Sequence, residues 1–102
     1  MTILWTNQAR MDQVEIYETI AEDNPNAAER VYRQIEERVA LLEKAPRLGV
    51  RRQEYAPELR MLVRGVYVIL YRTIPESDTG HVEAVEIVRI IHGNRDIGEI
   101  FG

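Results

Sequence analysis

Apolar residues recur along this chain with two different periods, and the switch between them divides it in two. The opening run "TILW" (2–5) is short, apolar and β-prone, which predicts a first strand. Thr6 or Asn7 follows, and either can cap a helix by accepting from the free amides of its first turn. From there to about Glu22, Ala9, Ile16, Tyr17, Ile20 and Ala21 fall on one helical stripe with Val14 at its margin. Asp12, Glu15 and Glu18 are expected toward the solvated side. A second helix is marked by Asn24 as N-cap and Pro25 at the first helical position, where its missing amide costs nothing. Ala28, Val31, Ile35, Val39 and Leu42 then trace a single face, and Pro46 stops the helix. Only "EDNP" separates the two helices, so they should form an antiparallel hairpin.

From Gly49 onward the period becomes two. "VRRQEY" (50–55) reads as a charged edge strand. In "LRMLVR" (59–64), Leu59, Met61 and Val63 face one way and Arg60, Leu62 and Arg64 the other. Arg64-Gly65 can make a tight turn, with glycine supplying positive φ. "VYVILYRTI" (66–74) and "HVEAVEIVRIIH" (81–92) are apolar on both faces, as central strands are, and "PESDTG" between them is a loop. The tail "RDIGEIFG" forms a short helix or an irregular arm. The order β-α-α-β-β-β plus a tail predicts an α+β domain over residues 1–102, with a helical hairpin on one face of a mostly antiparallel sheet.

Composition narrows the class. With 45% apolar and 29% charged residues among 102, the chain is expected to fold as one soluble domain. No apolar run approaches the roughly 20 residues of a membrane helix. The N-terminus does not read as a signal peptide, and the lack of cysteine excludes thiolate chemistry; both fit a cytoplasmic protein.

The net charge of −4 hides an asymmetry. Residues 1–46 carry five cations and nine acids, while 47–72 carry Arg47, Arg51, Arg52, Arg60, Arg64 and Arg72 against Glu54 and Glu58. All but one of the chain's 13 cations are arginine, which suits planar recognition of carboxylates and phosphates.

Chemical motifs are sparse. His81 and His92 have no metal-ligand spacing, and no phosphate loop, dinucleotide fingerprint or nucleophile elbow occurs. No cofactor or metal is expected. A phosphodiester-cleaving reading would use Arg60 and Arg89 for the developing phosphate charge and His92 as the group that titrates near neutrality. The structural reading of "HGNRD" (92–96) is preferred on residues alone. In it Gly93 takes a special backbone conformation, Arg95 and Asp96 tie the tail to the sheet, and Ile97, Ile100 and Phe101 anchor it. Tyr17, Tyr32, Tyr67 and Tyr71 are expected in the core, and Tyr55 beside the basic stripe.

Taken in order, Trp5 with Ala9, "IAEDNPNAAERV", "APRLG", "LRMLVRGVYVILYR" and "VEIVRIIHGNRD" resemble the ParE branch of the RelE/ParE toxins of bacterial type II toxin–antitoxin systems. The resemblance covers nearly the whole chain, and the derived element order agrees with that family's fold. It implies a toxin neutralised by a small ParD-like antitoxin in a hetero-oligomeric complex. ParE-type members are known for inhibiting DNA gyrase, and RelE-type members for cleaving mRNA. By resemblance, Arg60 and Arg89 fall where RelE-type enzymes hold catalytic arginines, and His92 lies near their C-terminal acid or base. The chain departs from that pattern: lysines are missing, the net charge is acidic, and the tail lacks tyrosine.

Three readings follow. The first is a non-enzymatic gyrase inhibitor, reaching DNA only through gyrase or the antitoxin. The second is an endoribonuclease using Arg60, Arg89 and His92. The third is an inactive antitoxin-binding module. Candidate antitoxin or target contacts are Arg51, Arg52, Arg60, Arg64, Arg95, Ile97, Ile100 and Phe101, and the antitoxin is expected to be acidic where it meets the arginines.

Overall fold

The computed structural model describes residues 1–101, with side chains through Ile100. Strand β1 (Thr2–Trp5) leads into helices α1 (Asn7–Ala21) and α2 (Pro25–Ala40), the second extended by a 3-10 turn over Leu41–Glu43. Strands β2 (Val50–Arg51), β3 (Arg60–Arg64), β4 (Tyr67–Ile74) and β5 (Ala84–His92) follow, then a short helix α3 (Ile97–Phe101). The α+β class and the order of the helices and long strands agree with the expectation, and the two-residue β2 adds a fourth strand after the helices.

The predicted caps form. Thr6 Oγ1 accepts from the Ala9 amide at 3.0 Å, and Asn24 Oδ1 accepts from the Ala27 amide at 3.0 Å. Each satisfies an amide that the first helical turn leaves unpaired. Gly65 turns β3 into β4 with φ of 60°, a left-handed value that glycine adopts without a Cβ clash.

The sheet runs β1-β5-β4-β3-β2. β1 lies parallel to β5 and every other pairing is antiparallel. A bulge interrupts the β4–β5 ladder: Leu70 pairs with Arg89 but Tyr71 pairs with Ile87, so Val88 is the extra residue. The insertion flips the alternation. Ile87 and Ile90, three apart, therefore both enter the helix-side core with Val85, Leu62, Ile69 and Tyr71, against Ile35, Val39 and Leu42 of the second helical segment.

A second core lies on the opposite face. Leu59, Val68, Leu70 and Ile91 are covered there by Ile97 and Ile100 of α3 and by Tyr55 and Ala56. The sheet is thus covered on both faces, which explains why β4 and β5 read as apolar throughout.

Four expectations need correction. The strand at 50–55 is only Val50–Arg51, because the Arg52 amide bonds to Leu59 O at 2.9 Å and the Tyr55 amide to Arg52 O at 3.0 Å, folding the chain into turns. Asp12 is not solvated but 4% exposed. Tyr17 is only partly covered and Tyr32 is exposed, so neither belongs to the core. Gly93 has no positive φ; its hydrogen permits a close approach, since a Cβ there would sit 3.2 Å from Val66 O.

Candidate functional site

β1 ends at Trp5, leaving the outer edge of β5 without a strand partner beyond Ile87. Side chains of α1 and of its N-cap complete the ladder instead. The Thr6 hydroxyl donates to Val88 O at 2.9 Å, and Asp12 Oδ2 accepts from the Ile90 amide at 3.0 Å. Asp12 also takes both prongs of Arg89, with Nε donating to Oδ2 at 2.7 Å and Nη2 to Oδ1 at 3.0 Å. Bidentate pairing with a carboxylate is among the strongest hydrogen-bonded arrangements in proteins. It raises the Arg89 pKa further, chiefly through the Asp12 hydrogen bond. Arg89 therefore remains charged and committed to Asp12.

Arg60 is similarly occupied. It is 7% exposed, donates to Gly49 O at 3.1 Å and pairs with Asp78 at 3.2 Å. Arg51 reaches the same Asp78 carboxylate at 2.9 Å and also pairs with Glu76. Arg47 closes the network by donating to the carbonyls of Ser77, Thr79 and Gly80. The 75–80 loop thus pairs Arg51 and Arg60 with its carboxylates and holds Arg47 through backbone carbonyls.

Arg52 pairs with Glu54 and lies over the Tyr55 ring at 5.0 Å. The Arg52 hydrogen bond holds the Glu54 carboxyl below its usual range. Arg64 and Arg95 make no side-chain hydrogen bond or ion pair among the described residues. Arg64 borders a cleft with Gln34, Glu37, Arg38 and Leu41, and Arg95 lies between two clefts beside His92 and α3.

The tail is held differently from the expectation. Asp96 caps α3, its Oδ1 accepting from the Gly98 amide at 2.9 Å, while the Arg95 side chain ties nothing down. Apolar packing of Ile97 and Ile100 makes the attachment. The Phe101 side chain lies outside the described residues.

Arg60, Arg89 and His92 do not converge. Arg60 pairs across the ladder with Tyr71 on the helix side, and Arg89 with Leu70 on the opposite side. His92 ends β5 with its ring edge-on to Tyr67 at 5.7 Å, and its Nδ1 accepts from the Asn94 amide. Among the described residues, no group of three or more histidines, cysteines or acids gathers to hold a metal ion, and no helix is long and apolar enough to cross a membrane.

Sequence reasoning missed Asp12, although the signal existed. Asp12 lies three residues after Ala9 and four before Ile16, on the buried stripe itself. An acid on such a stripe needs a cationic partner.

The ParE toxin model, described as the toxin of type II toxin–antitoxin systems of the parDE kind, matches residues 3–97. Among solved structures, the chromosomal ParDE TA system from P. aeruginosa contains a chain that is 25% identical, with a TM-score of 0.71 over 90% of this chain and 95% of that one. No curated protein matches. With the family model spanning nearly every element of the fold, this chain belongs to the ParE toxin family of type II toxin–antitoxin systems.

Proposed function

We propose that this protein acts in the cytoplasm as a non-enzymatic toxin that inhibits DNA gyrase and blocks replication, and that a ParD-like antitoxin encoded with it neutralises it. One observation carries the choice against RNA cleavage. Arg60 and Arg89, the two arginines that cleavage would use, are each committed elsewhere, Arg60 to Asp78 of the 75–80 loop and Arg89 to Asp12 of α1 at the β5 edge. Stabilising a phosphorane-like transition state needs cations aimed at one point. The membership in the ParE family supports the same reading, as does the chromosomal ParDE system of the structural relative.

Arg64 and Arg95 are the cations we assign to contact with target or antitoxin, since the other candidates serve internal pairs. The test is pulse-labelling of DNA and protein synthesis after induction of this chain without its antitoxin. DNA synthesis should fall first, and purified gyrase should lose supercoiling activity when the protein is added. Early loss of protein synthesis with cleaved transcripts would establish the ribonuclease instead. No growth defect would indicate an inactive antitoxin-binding module.

A further inference from the structure

The outer side of the helical hairpin holds a cavity of about 350 Å³ lined by Val14, Tyr17, Glu18, Glu29 and Tyr32. Its two rings meet edge to face, with centroids 6.0 Å apart and planes at 89°. The Tyr17 hydroxyl donates to Glu29 Oε1 at 3.2 Å, which fixes the carboxylate beside the rings. Neither Glu18 nor Glu29 pairs with a cation among the described residues, and no lysine or arginine lines the cavity. Arg30 and Arg33 stand nearby on α2 but outside it. Along α1 the apolar surface continues through Val14, 52% exposed, to Met11, 62% exposed.

This combination is selective. Aromatic faces carry negative quadrupole charge and attract a cation within about 6 Å of the ring. Two carboxylates supply counter-charge, and the Met11–Val14 ridge offers area to an apolar neighbour. An acidic or purely aliphatic segment would leave both carboxylates poorly solvated. We propose that this pocket receives an arginine or lysine side chain carried on an apolar stretch of the antitoxin. The proposal rests on the toxin–antitoxin reading above and adds the chemistry of one contact to it.

The experiment is calorimetric titration of the purified full-length toxin with its co-encoded antitoxin, at low and high salt. Tyr32→Ala should weaken binding about tenfold. The double variant Glu18→Gln/Glu29→Gln should weaken it about fivefold at low salt and less at high salt. Glu83→Gln, on an exposed segment before β5, should leave affinity unchanged. The Gln variants alter charge with little change of shape, so they keep the test valid should Tyr32→Ala fold poorly. Unchanged affinity in the Gln variants, with tight binding by the parent chain, would overturn the pocket assignment and leave the antitoxin reading intact. Absence of binding by the parent chain would overturn both.

Discussion

Asp12 and Arg89 are 77 positions apart in sequence and form a two-pronged pair at 2.7 and 3.0 Å. The same carboxylate also holds the Ile90 amide, so one side chain of α1 fixes both the charge and the backbone of β5. Removing one partner of a buried pair leaves the other charged and unsolvated. Asp12→Ala should therefore lower unfolding free energy by about 3 kcal/mol, measured by urea denaturation. A double-mutant cycle with Arg89→Ala should return a coupling energy of at least about 1 kcal/mol. Additive effects would show that the two side chains do not stabilise each other.

Arg60 and Arg64 should behave oppositely. Arg60→Ala removes a buried guanidinium bonded to Gly49 O and Asp78, and should destabilise the fold by about 2–3 kcal/mol. Arg64→Glu and Arg95→Glu should change stability by less than about 0.5 kcal/mol while reducing toxicity or antitoxin affinity. Paired measurements of denaturation and growth inhibition separate the two classes. Equal loss of stability in all three variants would remove the distinction.

Gly49 has no room for a side chain. A Cβ there would lie 2.6 Å from Tyr71 Cε1 and 3.0 Å from Met61 O, and the Tyr71 ring is itself packed in the core. Gly49→Ala should cost about 1–3 kcal/mol by overpacking. A variant as stable as the parent would mean that the ring relaxes freely.

Tyr71 should link stability to alkaline pH. Its hydroxyl accepts from the Gly49 amide at 2.7 Å and donates to Pro46 O at 2.9 Å. Burial holds the phenol above its ordinary value, against smaller opposing effects of the Gly49 amide and Arg60. With a raised folded pKa, the stabilising contribution is complete below the unfolded value near 10 and is lost as pH climbs through the folded one. The parent should therefore exceed Tyr71→Phe by about 1–3 kcal/mol near neutrality. That advantage should shrink from about pH 10 upward. A constant difference across the alkaline range would contradict the assignment.

The tail is a structural lid on the second core. Ile97→Ala should cost about 2–3 kcal/mol, because Ile97 packs with Leu59, Leu70 and Ile91. Truncation after Asp96 should expose that cluster and raise binding of a hydrophobic dye. An intact, dye-negative truncated protein would show that the lid is not needed.

Local information sufficed for much of the fold. Helical spacing of Ala28, Val31, Ile35, Val39 and Leu42, the caps at Thr6 and Asn24, and the Gly65 turn are properties of a few neighbouring residues, and each appears where the pattern places it. The family motifs are also ordered along the chain, so membership was readable before the fold was known. The state of the arginines was not. Periodicity reports which way a side chain points, and charge counts report how many there are, but neither reports which acid meets which base. That pairing depends on the tertiary topology: α1 packs beside β5 near one end of the sheet, and the 75–80 loop reaches β2 and β3 at the other. Asp12 meets Arg89 and Asp78 meets Arg60 only because of that topology. The bulge at Val88 is equally non-local, since two strands must pair before one residue can be in excess. The sequence by itself determined the two long helices, the longer strands and the family. The tertiary structure decided which charges remain available at the surface, because these ion pairs form between groups that the chain keeps far apart until it folds.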